Sequence, residues 1–127
     1  MPLVRISLIQ GKSAEYRAAI GDAVHRSMVD TINCPPLDRF QTITEHARGD
    51  MVYDPTYLDI ARSDDVVFIQ ITLNAGRSVE LKRALYWRIA ELLGNNPGIR
   101  PQDVLINLIE VQKENWSFGN GLASYAP

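Results

Sequence analysis

The sequence predicts an α/β (α+β) chain: two tandem strand-helix-strand units forming one four-stranded mixed sheet with two helices on one face. Three observations carry this. The chain answers itself without a gap at one fixed offset, the spacing from Gly11 to Gly76: Gly11-Lys12-Ser13-Ala14-Glu15 matches Gly76-Arg77-Ser78-Val79-Glu80, Pro36 and Asp38 match Pro101 and Asp103, and Glu45 matches Glu110. Apolar residues alternate before each Gly-basic-Ser stretch, as Val4, Ile6 and Leu8 and again as Ile69, Ile71 and Leu73. That is the two-residue period of a strand. After each stretch the apolar spacing changes to the period of a helix. A length of 127 residues suits one domain over 1–127, with the repeats at 2–46 and 67–111.

The elements follow in order. Pro2 opens the first strand, which runs to Ile9; a proline fits a strand's first position because its missing N–H is not needed there. Ser13 suits a helix N-cap and Glu15 the positive helix end. Tyr16, Ile20 and Val24, with Ala19 and Ala23 beside them, form the buried stripe, and Pro35 and Pro36 end the helix. Phe40 to Glu45 is the next strand, and the polar, turn-rich residues 46–64 connect the halves. Val66–Leu73 opens the second unit. Its helix starts at Ser78 with Leu81, Leu85, Ile89 and Leu92 as the stripe, Gly94 and Pro97 closing it. Val104–Val111 is the last strand, and aromatics beside glycines in 115–125 suggest a tight turn or small hairpin. Short crossovers require parallel pairing within each unit. Two helices cover one sheet face only. The other face carries Leu3, Arg5, Val66, Phe68 and Gln70, too apolar for water, which predicts burial against other subunits.

Composition narrows the function classes. A hydrophobic content of 46% and a charged content of 22% are ordinary for a globular protein. A net charge of −2 gives no reason to expect nucleic acid or an anionic membrane as partner. No run approaches the roughly 18 apolar residues of a membrane span, and the N-terminus does not read as a signal peptide. Cytoplasm is therefore the expected location. One cysteine, Cys34, and two histidines, His25 and His46, leave little material for a metal site or a Cys-His mechanism.

Pro2 is the residue with unusual chemistry. With Met1 removed it is a free secondary amine held at the end of a sheet, a base when neutral and an acid when protonated. Arg77, beside a helix N-terminus, can anchor a carboxylate through its fork geometry, or it is a solvated first-turn charge. Lys12, its counterpart, offers only a point charge. Asp38 either keeps the amine cationic or caps a turn after Pro36, as Asp103 does after Pro101. Trp116 and Phe118 either exclude water from a site or pack an interface. Arg39 reads as the partner of a surface carboxylate and Cys34 as a small apolar residue. Neither histidine has a visible partner.

Together Pro2, Gly11-Lys12-Ser13, Gly76-Arg77-Ser78 and Phe118-Gly119-Asn120-Gly121 resemble the tautomerase superfamily, whose members act through an N-terminal proline. The doubled length, with Asp38-Arg39-Phe40-Gln41 and Asn115-Trp116-Ser117-Phe118-Gly119, is most similar to the malonate semialdehyde decarboxylase-like branch. The resemblance implies a homotrimer whose outer sheet faces line a central barrel, no cofactor, and a small carboxylated carbonyl or enol substrate. It places Pro2, Asp38 and Arg77 in catalytic positions, with Asn74, Trp116 and Phe118 against the substrate. Better-known decarboxylases carry Arg-Pro-Arg-Ser where this chain has Asn74-Ala75-Gly76-Arg77-Ser78, so Asn74 stands in place of one arginine. Proton transfer on a keto or enol acid is the leading expectation. The alternatives are a decarboxylase or hydratase-like lyase, and a trimeric binding module without catalysis.

Overall fold

Two strand-helix-strand units meet through their first strands. A computed structural model describes residues 2–126. The elements are β1 (Leu3–Ile9), α1 (Ala14–Ile32), β2 (Gln41–His46), β3 (Val67–Asn74), α2 (Val79–Asn95) and β4 (Val104–Val111). The sheet order is β2-β1-β3-β4. β1 pairs parallel with β2, and β3 pairs parallel with β4, as crossover helices require. β1 and β3 run antiparallel in the centre, with Leu3 opposite Thr72 and Leu8 opposite Val67. The architecture expected from the repeat is the one observed.

The local chemistry repeats with the sequence. Gly11 and Gly76 take φ of 118° and 119°, a region that L side chains rarely adopt. The hydroxyls of Ser13 and Ser78 accept the N–H of Tyr16 and of Leu81 respectively, each at a helix N-cap. Arg17 pairs with Glu45 at 3.3 Å and Lys82 with Glu110 at 2.8 Å, the same contact in both units. α1 stops at Ile32 because Asn33 adopts the left-handed conformation, before the prolines are reached. α2 runs through Gly94 to Asn95.

One sheet face and both helices enclose the core. Val4, Ile6 and Leu8, Ile69, Ile71 and Leu73, Ile20, Val24 and Met28, and Leu85, Ile89 and Leu93 are all buried. Burial of each large aliphatic side chain contributes about 1.5–3 kcal/mol. The α2 stripe therefore turns inward at Leu93, while Leu81 stays 42% exposed. On the other face the alternation leaves Leu105 and Ile109 43% and 38% exposed. Val66 departs from expectation: it is buried within the subunit against Ile9 and Met51, with Tyr53 and Phe68 packed beside them. The segment joining the halves thus covers a corner of the outer face, which its polar composition concealed. Its short helical turn Arg48–Asp50 precedes the turn Lys113–Asn115 by the same offset that relates Gly11 to Gly76. The joining segment and the C-terminal tail therefore begin with the same short turn.

Candidate active site

Strand direction brings four chain segments to one edge of the sheet. β1 and β2 begin there, and β3 and β4 end there. The Val4 N–H donates to the Phe40 carbonyl at 3.0 Å, which seats residues 38–40 beside the start of β1. Pro2 is buried and lines an open cavity of about 250 Å³ with Leu3, Phe40, Trp116, Ser117 and Phe118. Pro2, Trp116 and Phe118 therefore share one cavity.

Its wall is aromatic. Trp116 and Phe118 stack with ring centres 5.3 Å apart and planes at 12°. Phe118 also meets Phe40 at 6.2 Å and the edge of Tyr125 at 5.2 Å. Sequence reasoning gave no role to Phe40, which lines the cavity, or to Tyr125, which packs on Phe118. Phe40 reads as a strand residue by pattern, and Tyr125 meets Phe118 only because the tail folds back.

Asp38, 6% exposed, does not itself line the cavity and lies in the turn before Phe40, which does. The Cys34 thiol donates to the Asp38 carbonyl at 3.4 Å, and the Asp38 N–H donates to the Pro35 carbonyl at 3.0 Å. His25 Nε2 lies 2.8 Å from the Pro36 carbonyl. Cys34 and His25 therefore pin the turn that carries Asp38, a role the sequence did not disclose. Burial pushes the Asp38 carboxyl above the usual carboxylate range, against the lowering influence of positive charge at the chain's amino terminus and on His25. Burial raises Cys34, with the Asp38 charge adding to it and the amino terminus and Arg77 opposing it. Tyr125 is raised by burial first and then by Asp38 and Cys34. Asp38, Cys34 and Tyr125 thus act on one another's charge, and Arg77 acts on Cys34.

Arg77 follows the left-handed Gly76 and is half-buried. Its Nη1 donates to the Asn74 carbonyl at 3.0 Å. The Trp116 indole N–H donates to Asn74 Oδ1 at 2.8 Å. Asn74 thus joins the arginine to the aromatic wall. At the opposite sheet edge Lys12 is tied to Asp65 at 2.6 Å, whereas Arg77 donates to a neutral carbonyl. Arg39 pairs with Asp22 at 2.7 Å, the surface ion pair expected of it.

A buried N-terminal-region proline lining an aromatic cavity, and a guanidinium at a helix start on the same sheet edge, have the chemistry to transfer a proton and to bind a small anion. A tautomerase-enzyme family model matches residues 38–119 and a second matches residues 2–60. The chain is 41% identical over 123 residues to probable tautomerase YusQ of Bacillus subtilis (strain 168), covering 97% of each. It is similar to the crystal structure of FG41 malonate semialdehyde decarboxylase inhibited by 3-bromopropiolate, with a TM-score of 0.92 and 39% identity over 97% of this chain and 93% of that one. A fused 4-OT symmetric trimer shares the fold at a TM-score of 0.78 and 24% identity, covering 98% of each chain. The chain belongs to the tautomerase family, in its malonate semialdehyde decarboxylase-like branch. It is an enzyme of the tautomerase class.

Proposed function

We propose that Pro2, freed by removal of Met1, moves protons on small carboxylated keto and enol acids. The observation that carries this reading is that Pro2 lines one cavity with Phe40, Trp116 and Phe118. An α-amino group ordinarily titrates near pH 8. An apolar wall and a neighbouring guanidinium both lower that value, and the Asp38 carboxylate opposes them. As a neutral base, Pro2 takes the proton of an enol hydroxyl. The oxygen's electron pair forms the carbonyl, and the carbon at the far end of the former double bond receives the proton back from the Pro2 cation. Arg77 holds the substrate carboxylate through paired N–H donors. Trp116 and Phe118 exclude water and strengthen those charges, with Asn74 beside them.

A second reading has a specific observation in its favour. The similarity to FG41 malonate semialdehyde decarboxylase suggests carbon-carbon cleavage or hydration by a cationic Pro2, with Asp38 maintaining the charge. The outer face bearing Leu105 and Ile109 supports a homotrimer. Parallel assays with an enol acid and with malonate semialdehyde test the two readings. Faster enol turnover, lost in Pro2→Ala, supports the first; decarboxylation exceeding enol turnover replaces it with the second.

A further inference from the structure

Asn74 carries two hydrogen bonds that link groups otherwise independent of each other. It is the last residue of β3, on the alternating positions that face away from the helix-covered core. Its backbone carbonyl accepts from the Arg77 guanidinium at 3.0 Å, and its side-chain oxygen accepts from the Trp116 indole at 2.8 Å. An indole N–H is a donor only, so the oxygen end of the amide must face it. Through Trp116 this bond reaches the stacked Phe118 and, beyond it, Phe40 and Tyr125.

The internal repeat separates a packing role from a functional one. In the register of the repeat, Ile9 is the counterpart of Asn74, and Met51 is the counterpart of Trp116. At that opposite edge Ile9 and Met51 belong to one buried apolar cluster with Val66. Apolar packing therefore suffices to dock this segment on the strand end. Only at the edge with the Pro2 cavity is the same contact made by an amide and an indole.

We propose that Asn74 is a positioning residue that latches Trp116 and, through its carbonyl, Arg77, so that it fixes the span between the carboxylate anchor and the aromatic wall. That span selects acids by the distance between their carboxylate and their apolar body. The inference rests on the reading of Arg77 and the cavity given above. Arginine at this position could not replace the latch, because a guanidinium accepts no hydrogen bond.

The test uses the full chain carrying Trp87→Phe, which removes the exposed tryptophan on α2 and leaves Trp116 as sole reporter. Acrylamide quenching and steady-state kinetics on an aryl enol acid and a short aliphatic enol acid are measured in this parent, in Asn74→Ala and in Asn74→Asp. In Asn74→Ala, quenching of Trp116 should rise, kcat/KM for the aryl acid should fall about tenfold, the scale of one lost hydrogen bond, and the preference between the two acids should narrow. Asn74→Asp keeps an acceptor for the indole but places a carboxylate beside Arg77. It should preserve the parent's quenching and raise KM with kcat little changed. Unchanged Trp116 quenching in Asn74→Ala overturns the latch, as does identical loss in both variants. If the parent turns over neither acid, the chemistry assigned to the cavity fails, and quenching alone still decides the latch.

Discussion

Asp38 and Asp103 occupy equivalent places of the two units, and both are buried. Asp103 is fully buried and accepts the Ser63 N–H at 2.7 Å, the Ser63 hydroxyl at 2.8 Å and the Arg100 guanidinium at 3.2 Å. It fastens the joining segment to the start of β4. Asp38 is also buried, with its carboxyl pushed upward by that burial. One copy of the residue holds the fold, and the other is the one we propose to act on Pro2.

Asp103→Ala should destabilise the protein by roughly 2–4 kcal/mol, because several donors lose a charged acceptor in a buried place. Thermal melts should show a large drop in Tm, with activity per folded molecule retained. A melt unchanged by this substitution would mean that the bonds to Ser63 contribute nothing.

Asp38→Asn should behave in the other direction. A carboxyl whose folded-state pKa lies above its unfolded value keeps its proton longer in the folded chain, so stability falls as pH rises between the two values. The window opens at the ordinary Asp value of about 4 and extends upward to the raised folded value. The variant should therefore match the parent's Tm below that window and equal or exceed it at pH 7, while losing turnover. A variant less stable than its parent only at neutral pH contradicts the assignment.

Arg77→Ala should lower kcat/KM by about 1.5–3 kcal/mol, the worth of hydrogen bonding to a charged group. Lys12→Ala should change it little, since Lys12 is already engaged by Asp65. Equal losses at both positions would place the anion site wrongly.

Much of the fold is legible in the sequence, for identifiable reasons. Strand alternation at Val4-Ile6-Leu8 and Ile69-Ile71-Leu73, the caps at Ser13 and Ser78, and the repeat at Gly11 and Gly76 are local signals, and local signals survive in sequence. Pairing β1 with β3 antiparallel then brings the start of one unit to the end of the other, which puts Pro2 and Asn74 at one sheet edge. Other features depend on tertiary contact. Met51 and Tyr53 stand opposite Trp116 and Phe118 in the repeat by position and not by identity, so the joining segment reads as an ordinary loop. Tyr125, Cys34 and His25 acquire their contacts only when the tail folds onto Phe118 and the Cys34–Asp38 turn closes.

The outer sheet face provides a test of assembly. Leu105 and Ile109 are large, apolar and partly exposed on β4, and a closed ring of three subunits would remove them from water. Sedimentation should show a trimer, and Leu105→Glu with Ile109→Glu should dissociate it. Val66 is excluded from this surface by its burial within the subunit. A parent chain that sediments as a monomer at micromolar concentration contradicts the assembly.

The central claim is that the Pro2 nitrogen itself transfers the proton. Its most direct test is kcat/KM on an enol acid for the Met-less protein, verified by intact mass, beside the same chain bearing an uncleavable N-terminal extension. The extension turns the amine into an amide, which can neither take nor return a proton, and leaves Asp38, Arg77 and the aromatic wall in place. The account predicts that the extended chain loses at least roughly 10²-fold, the scale of general acid-base catalysis. Full activity in the extended chain would show that another group does the work.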